Sequence, residues 1–550
     1  MRDKEFVLPL EMFYTYEKQY ANRVWFRQPL DGRWNDITWH HASQEIRKMA
    51  QALKNLNLPA KSNIAILSKN CAHWIMTDLA IWMAGHVSVP LYPTLTSASI
   101  KEILEHSQAR MIFAGKLDDW PSQKMGIPPG MTKICYPHWR NEGCVSWDDF
   151  VGATTPMNAS PNRDAEDIAT LIYTSGTTGR PKGVIHTFHS MAFPVNRGLA
   201  KLGLNANDKF FSYLPLSHVA ERLLIEIAGL YAAGTISFAE SVDTFADNLR
   251  ETQPTVFLAV PRIWTKFQLG ILNKMPQQKL DRLLRIPLLS SVVKSKIKKG
   301  LGLHSARLCL SGAAPISPDL IHWFQKVGIT ILEAYGMTEN FCYTSINLPG
   351  ETRVGTVGKA WPQSEIAIAK NGEILLRSEA NMKGYFREPE MTAEMMDSEG
   401  WIHSGDQGEL DSEGYLKITG RVKDLFKTSK GKYVAPAPIE SRFSSSFLIE
   451  QVCVMGSGLP HPIALVSLSD VGKKFNKEAL VPKISELLNE INQSLEHFER
   501  LGQIVVVNDD WSTQSGVLTP SLKIKRNVVE KMYAPKVDSW LKVRETVIFL

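Results

Sequence analysis

Residues 168–184 read Ile-Ala-Thr-Leu-Ile-Tyr-Thr-Ser-Gly-Thr-Thr-Gly-Arg-Pro-Lys-Gly-Val. An apolar run, expected as a strand over Ile168–Tyr173, feeds Thr174, Ser175, Gly176, Thr177, Thr178 and Gly179. Glycines let backbone N–H groups converge on an anion, four hydroxyls add donors, and Lys182 adds charge. That chemistry suits a polyphosphate. The same residues also make an ordinary Ser/Thr/Gly turn after a strand. The loop is not a Walker A sequence, because Arg180-Pro181 stand where GxxxxGK[ST] requires Gly-Lys.

The elements that must position this loop form an α/β pattern. Apolar β-prone runs alternate with helical-period segments through the first ~420 residues. Expected strands are 63–68, 111–114, 168–173, 209–214, 255–260 and 329–333. In 43–55, Ile46, Met49, Ala50 and Leu53 share one stripe of a helix. Ser317-Pro318 reads as an N-cap followed by Pro at the first helical position. From about 364 short strands dominate (365–369, 373–376, 415–418), separated by turn residues, which predicts a small antiparallel unit. Beyond 422 the texture becomes mixed, with one clear helix placing Ile484, Leu487, Leu488, Ile491 and Leu495 on one face.

At 550 residues the chain exceeds one hydrophobic core and predicts several folding units. With 44% hydrophobic and 21% charged residues it is globular in composition, which excludes disorder, collagen and coiled coil as its main description. Six scattered cysteines form no CxxC pair, so neither a zinc ribbon nor a disulfide framework is expected. The opening Met1-Arg2-Asp3-Lys4-Glu5 lacks an apolar core, so no signal peptide is expected. The longest apolar stretches, 79–89 and 223–239, are broken by His86 and Glu226, short of the ~20 residues a span needs. The expectation is a cytoplasmic protein.

Thr174–Val184 resembles the phosphate loop of the adenylate-forming superfamily, which includes acyl-CoA synthetases, luciferases and peptide-synthetase adenylation domains. Four more segments resemble its motifs in the same order: Tyr335-Gly336-Met337-Thr338-Glu339, Trp401–Asp406, Gly420–Asp424 and Leu518–Arg526. The resemblance implies an N-terminal domain over 1–422, built of two α/β subdomains and a small β-barrel-like unit. A mobile α+β domain would cover 423–550. It also implies ATP-dependent activation of a carboxylate to acyl-AMP, then transfer to a thiol, usually coenzyme A.

The resemblance assigns roles residue by residue. Thr174–Gly179 and Lys182 would hold the phosphates, and Glu339 with Thr174 would hold Mg²⁺, which takes few carboxylates beside phosphate oxygens. Thr338 would bond the α-phosphate, Tyr335 and Gly336 would flank adenine, and the small residues Gly312, Ala313 and Ala314 suit close approach by adenine or the acyl chain. Asp406 would accept from the ribose hydroxyls, and Arg421 would reach ribose or α-phosphate. Lys523 would bridge the attacking carboxylate and the α-phosphate. Lys525, two residues on, would face the same side of a strand, so spacing alone leaves the two open. Lys423 stands at the hinge, and Gly431 would approach the pantetheine tunnel after a domain rotation. Without the resemblance, Glu339 reads as a strand end, Asp406 as a turn cap, Arg421 as a surface ion pair and Lys523 as part of a solvated basic run.

Within the superfamily, Tyr213–Arg222 (YLPLSHVAER) and Val260–Trp264 (VPRIW) resemble the long-chain fatty acid branch, except that Thr265 stands where that branch has an acid. The branch implies His218 beside the substrate carboxylate; a satisfied strand-end histidine is the plainer reading. The resulting expectation is a long-chain fatty acid–CoA ligase. The alternatives are a fatty acyl-AMP ligase loading a carrier protein, an aryl or other carboxylate–CoA ligase, and a non-catalytic binding relative.

The formal charge of +6 does not imply nucleic-acid binding. It is unevenly spread. Residues 274–300 carry eight Lys and Arg against one Asp, interleaved with Leu, Ile and Val. A solvated helical excursion over the acyl tunnel is one reading. Peripheral contact with an anionic lipid surface at the cytoplasmic membrane face is another, and attraction of the CoA phosphates a third. A monomer or homodimer is expected.

Overall fold

The computed structural model describes residues 6–175, 181–443, 446–519 and 522–550. Two large sheets form the N-terminal part. One has eight strands in the order 384–385, 181–187, 168–175, 87–91, 63–67, 111–114, 132–135 and 145–146. The other has nine, with parallel strands 308–311, 256–259, 209–212 and 235–238 at its centre. Parallel strands are covered on both faces, which is why these runs are continuously apolar rather than alternating. The helix Ala72–Met83 shows the consequence: eleven of its twelve residues are buried, because it lies between layers. One core joins Ile64 and Phe113 of the first sheet to Phe210 and Ile236 of the second.

The helix predicted over 43–55 begins earlier, at Trp39, where Thr38 accepts from the His41 N–H at 3.2 Å. Ser317 does precede a helix, Pro318–Lys326, yet its side chain makes no capping bond. The third unit is an open antiparallel sheet of Glu365–Ile368, Glu373–Arg377, Ile402–Leu410 and Leu416–Arg421, not the expected barrel-like closure. Its apolar cluster is small, so only one face needs cover.

Beyond residue 422 a four-stranded sheet packs against helices Lys477–Gln493 and Arg526–Leu541. Asn476 caps the first of these, accepting from Ala479 N at 3.0 Å. Lys523 and Lys525 do not lie on a strand. Leu522 is left-handed (φ 62°) and Lys525 is the N-cap of the last helix, so the period-two argument does not apply to them. All six cysteines are free thiols, and no helix among the described residues is long and apolar enough to cross a membrane.

Candidate active site

The strands that flank the phosphate loop, Ile168–Ser175 and Pro181–Thr187, pair antiparallel, and Thr174 opposes Lys182. Cross-strand partners project to one side, so the Thr174 hydroxyl and the Lys182 ammonium share a face. Gly176, Thr177, Thr178 and Gly179 lie outside the described residues, as does the Ser175 side chain. The Lys182 Nζ stands 5.2 Å from the centre of the Tyr385 ring. Tyr385 pairs with Val184 on the next strand, and its hydroxyl donates to Glu339 Oε1 at 2.7 Å. Burial raises the Glu339 pKa, while Tyr385, then Lys182 and Arg421, work the other way. A buried carboxylate facing a lysine and a phosphate hairpin is short of positive charge. One carboxylate with the Thr174 hydroxyl fits Mg²⁺ that takes its other oxygens from phosphate and water. No group of three His, Cys, Asp or Glu able to hold a metal occurs among the described residues.

The loop that presents Glu339 is tightly built. A Cβ on Gly336 would come within 2.5 Å of Cys342 Cα, so glycine alone fits there. His186, fully buried, links this loop to the hairpin: Nε2 lies 2.7 Å from the Thr338 carbonyl and Nδ1 3.1 Å from Ser190 Oγ. A carbonyl only accepts, so Nε2 carries the proton. Burial holds this imidazole neutral, with its pKa lowered to about 4. The Thr338 backbone is therefore fixed by a side chain from the phosphate hairpin. Neither Tyr385 nor His186 stands out in the sequence, since a lone Tyr or His within an apolar run has no spacing signal.

On the other side of the cleft, Tyr335 donates to Asp406 Oδ2 at 2.6 Å and Arg421 Nε to Oδ1 at 2.8 Å. Asp406 and Arg421 are register partners on adjacent strands. Both Asp406 oxygens thus hold donors already, and ribose hydroxyls would share them. The Tyr335 hydroxyl is committed to Asp406, and its side chain packs against the cluster of Ile374, Leu376, Ile402 and Leu416. Gly312, Ala313 and Ala314 follow the strand Leu308–Ser311; Ala313 is left-handed (φ 66°), and Ala313 and Ala314 are exposed.

Lys523, on the C-terminal domain, is exposed, with Arg421 and Asp406 within electrostatic reach. Loss of solvent around its ammonium lowers its pKa, Arg421 lowers it further, and Asp406 opposes both. It is also within electrostatic reach of His218. His218 Nδ1 accepts from Ala220 N at 3.2 Å, which leaves the proton on Nε2; burial and then Lys523 lower its pKa to about 4. Lys525 makes its backbone bond to Val517 at the start of the last helix. Lys423 is exposed in the turn after Arg421, and Gly431 (φ 78°) is exposed on the turn between Phe426–Lys427 and Tyr433–Val434.

The rest of the YLPLSHVAER run is scaffold. Glu221 Oε1 accepts from Ser212 Oγ (2.9 Å) and Tyr213 N (3.0 Å), tying the run to the sheet. Arg222 is fully buried and pairs with Asp78 on the sandwiched helix. In the VPRIW segment, Thr265 bonds back to Pro261 O at 3.2 Å, a use of the position that needs no acid.

The two domains also meet through charge. Arg262 bonds Glu450 of the C-terminal domain, and Asp470 supports the charge of both Arg262 and Lys266. Two cations on the helix Pro261–Lys274 thus face two acids on the domain that carries Lys523. We expect Arg262→Glu to slow the step that uses Lys523 by roughly twofold to fivefold, the range of a partly exposed pair. Glu450→Arg in the same chain should restore the rate. Pyrophosphate-release kinetics at low and high salt check this; loss without rescue by the swap would point to misfolding instead.

Residues 13–386 match the AMP-binding enzyme family and residues 423–545 the AMP-binding enzyme C-terminal domain family. The chain belongs to the AMP-binding enzyme family, the adenylate-forming superfamily. It is 28% identical over 579 residues to the long-chain-fatty-acid–CoA ligase FadD15 of Mycobacterium bovis, with 96% of each chain covered. Among solved structures it is similar in fold to the anthranilate CoA ligase AuaEII in complex with anthranoyl-AMP (TM-score 0.80, 23% identity, 97% and 98% of the two chains). The same holds for the adenylation domain of a carboxylate reductase from Mycobacterium chelonae (TM-score 0.83, 20% identity, 98% and 92%).

Proposed function

We propose that this chain converts a long-chain fatty acid, ATP and coenzyme A to acyl-CoA, AMP and pyrophosphate. One observation carries the reading: the Arg421–Asp406 ion pair (2.8 Å) has Lys523 of the C-terminal domain within electrostatic reach, and Arg421 and Lys182 are in turn within reach of the buried Glu339. A carboxylate attacking a phosphate is an approach of two anions, so catalysis consists mainly of positioning and charge neutralisation. Lys523 draws both together, since its ammonium can donate to the fatty acid oxygen and to the α-phosphate at once. The carboxylate oxygen bonds to the α-phosphorus, and the bond to pyrophosphate breaks. Thr174, Ser175, Gly176, Thr177, Thr178, Gly179 and Lys182 hold the departing phosphates. Thr338, fixed by His186, bonds the α-phosphate. Asp406 and Arg421 hold the ribose, while Tyr335, Gly336 and Gly312–Ala314 bound the adenine. Mg²⁺ held by Glu339 and Thr174 would supply neutralisation of phosphate oxygens.

In the second half the CoA sulfur bonds to the acyl carbon and AMP leaves. Lys523 then has no task, and a rotation about Lys423, at the 422/423 division, withdraws it and presents Gly431. His218 lies near Lys523, where the carboxylate of the acid would sit.

Support for a fatty acid comes from the curated relatives; support for another carboxylate comes from the fold likeness to an anthranilate CoA ligase. A chain-length series of fatty acids, with benzoate and anthranilate alongside, decides between them when pyrophosphate release is followed with and without CoA. Turnover of long-chain acids that yields acyl-CoA supports the proposal. Preference for an aromatic acid would overturn it, and so would AMP release that ignores CoA but needs a phosphopantetheine carrier protein.

A further inference from the structure

The basic segment resolves into two helices, Gln277–Leu284 and Pro287–Leu301, and the second has no fully buried residue. Its inner side is occupied. Val293, Ile297 and Leu301, at i, i+4 and i+8, pack on the cluster around Trp264 and Phe324. Its outer side is apolar as well. Ile286 is 50% exposed, Leu288 85%, Leu289 44% and Val292 63%. Four large aliphatic side chains in seven residues are thus turned to solvent beside one another. Isolated exposed aliphatics need no explanation, but a contiguous group does.

The cations sort in the same way. Arg282, Arg285, Lys296 and Lys299 are exposed with the aliphatic patch, whereas Lys294 and Lys298 are half-buried. Lys294 lies along Gly328, with its Cδ 3.4 Å from the position a Cβ would take there. None of the four exposed cations has an acidic partner among the described residues. Spacing along the sequence cannot make this division; the packing of Val293, Ile297 and Leu301 does.

We propose that the outer face of 282–299 docks on an anionic lipid surface. Aliphatic side chains ringed by unpaired cations match an acyl boundary beneath negative headgroups. The same charge argues against a second copy of this chain, because two such faces would bring eight cations together. A neutral protein groove would leave the cations unused. The inference concerns the surface alone and stands apart from the identity of the acid.

Sedimentation of the full-length chain with phosphatidylcholine vesicles, with and without phosphatidylglycerol, tests it. Binding is expected to the mixed vesicles only, and to weaken as salt rises. Each cation is worth roughly fivefold in partitioning near an anionic surface, so Arg282→Ser/Arg285→Ser should lower it about 25-fold. Leu288→Ser/Val292→Ser should lower it by a comparable factor. A matched thermal midpoint and unchanged turnover of a short, soluble acid show that the variants are folded. Equal binding by wild type and variants overturns the proposal, as does wild-type binding to neutral vesicles or none at all. Concentration-dependent dimerisation that the Leu288→Ser/Val292→Ser variant abolishes would assign the face to self-association instead.

Discussion

Lys523→Ala should lower pyrophosphate release from ATP and fatty acid by roughly 10²–10³-fold, the loss expected on deleting one preorganised donor to a developing charge. The same variant should convert supplied acyl-AMP and CoA to acyl-CoA at near the wild-type rate. The split follows from geometry. Lys523 sits on the C-terminal domain with Arg421, Asp406 and His218 within electrostatic reach, the arrangement proposed above to make the adenylate. Lys525→Ala is the control, because Lys525 opens the last helix and its backbone is tied to Val517. Equal losses in both half-reactions would mean that the domain no longer docks. Undiminished adenylation would remove Lys523 from the mechanism.

Arg222→Met should destabilise the N-terminal domain by about 3–5 kcal/mol, the usual consequence of stranding a buried charge. Arg222 and Asp78 are both fully buried, with Nη2 2.5 Å from Oδ2, and the guanidinium lies between the Trp74 and Trp82 rings at 5.2 and 5.9 Å. Burial raises the pKa of Glu226, one turn on, although Arg222 Nε lies 3.4 Å from its Oε2. One guanidinium thus serves two carboxyls, all three side chains enclosed between the sheets. Removing the cation leaves Asp78 with no exit to water. Replacing all three, as Asp78→Leu/Arg222→Met/Glu226→Leu, should recover most of the loss, since apolar groups of similar volume need no pairing. The midpoint of the N-terminal domain's transition in urea measures both. A loss below about 1 kcal/mol for Arg222→Met would falsify the premise that the pair is desolvated.

Arg222 also illustrates what residue order can and cannot convey. It stands within YLPLSHVAER, and only the fold separates its neighbours into tasks. His218 accepts from Ala220 N, Glu221 ties the run to the sheet through Ser212 and Tyr213, and Arg222 is buried against Asp78. Local chemistry is written locally. The phosphate hairpin, the glycine demanded at Gly336 and the strands 63–67, 111–114 and 256–259 depend on residues within a few positions of each other, and periodicity reports them. The strands of the two large sheets were legible as apolar runs, because strands covered on both faces must be apolar throughout.

Tertiary structure alone decided the rest. Tyr385 reaches Glu339 across 46 residues and His186 reaches Thr338 across 152, pairings that no local spacing encodes. The Asp406 oxygens, expected to be open to ribose, already hold Tyr335 and Arg421. The barrel-like unit is an open sheet because its neighbours cover its single apolar face. Lys523 and Lys525 are equivalent as letters two apart. The left-handed turn at Leu522 and the helix that starts after Lys525 separate them, leaving Lys523 exposed before the helix and Lys525 at its cap. Sequence by itself determined which chemical groups this protein carries and which short segments present them. Which groups meet was decided by packing, since burial and charge act through space and the chain returns to the same cleft from points hundreds of residues apart.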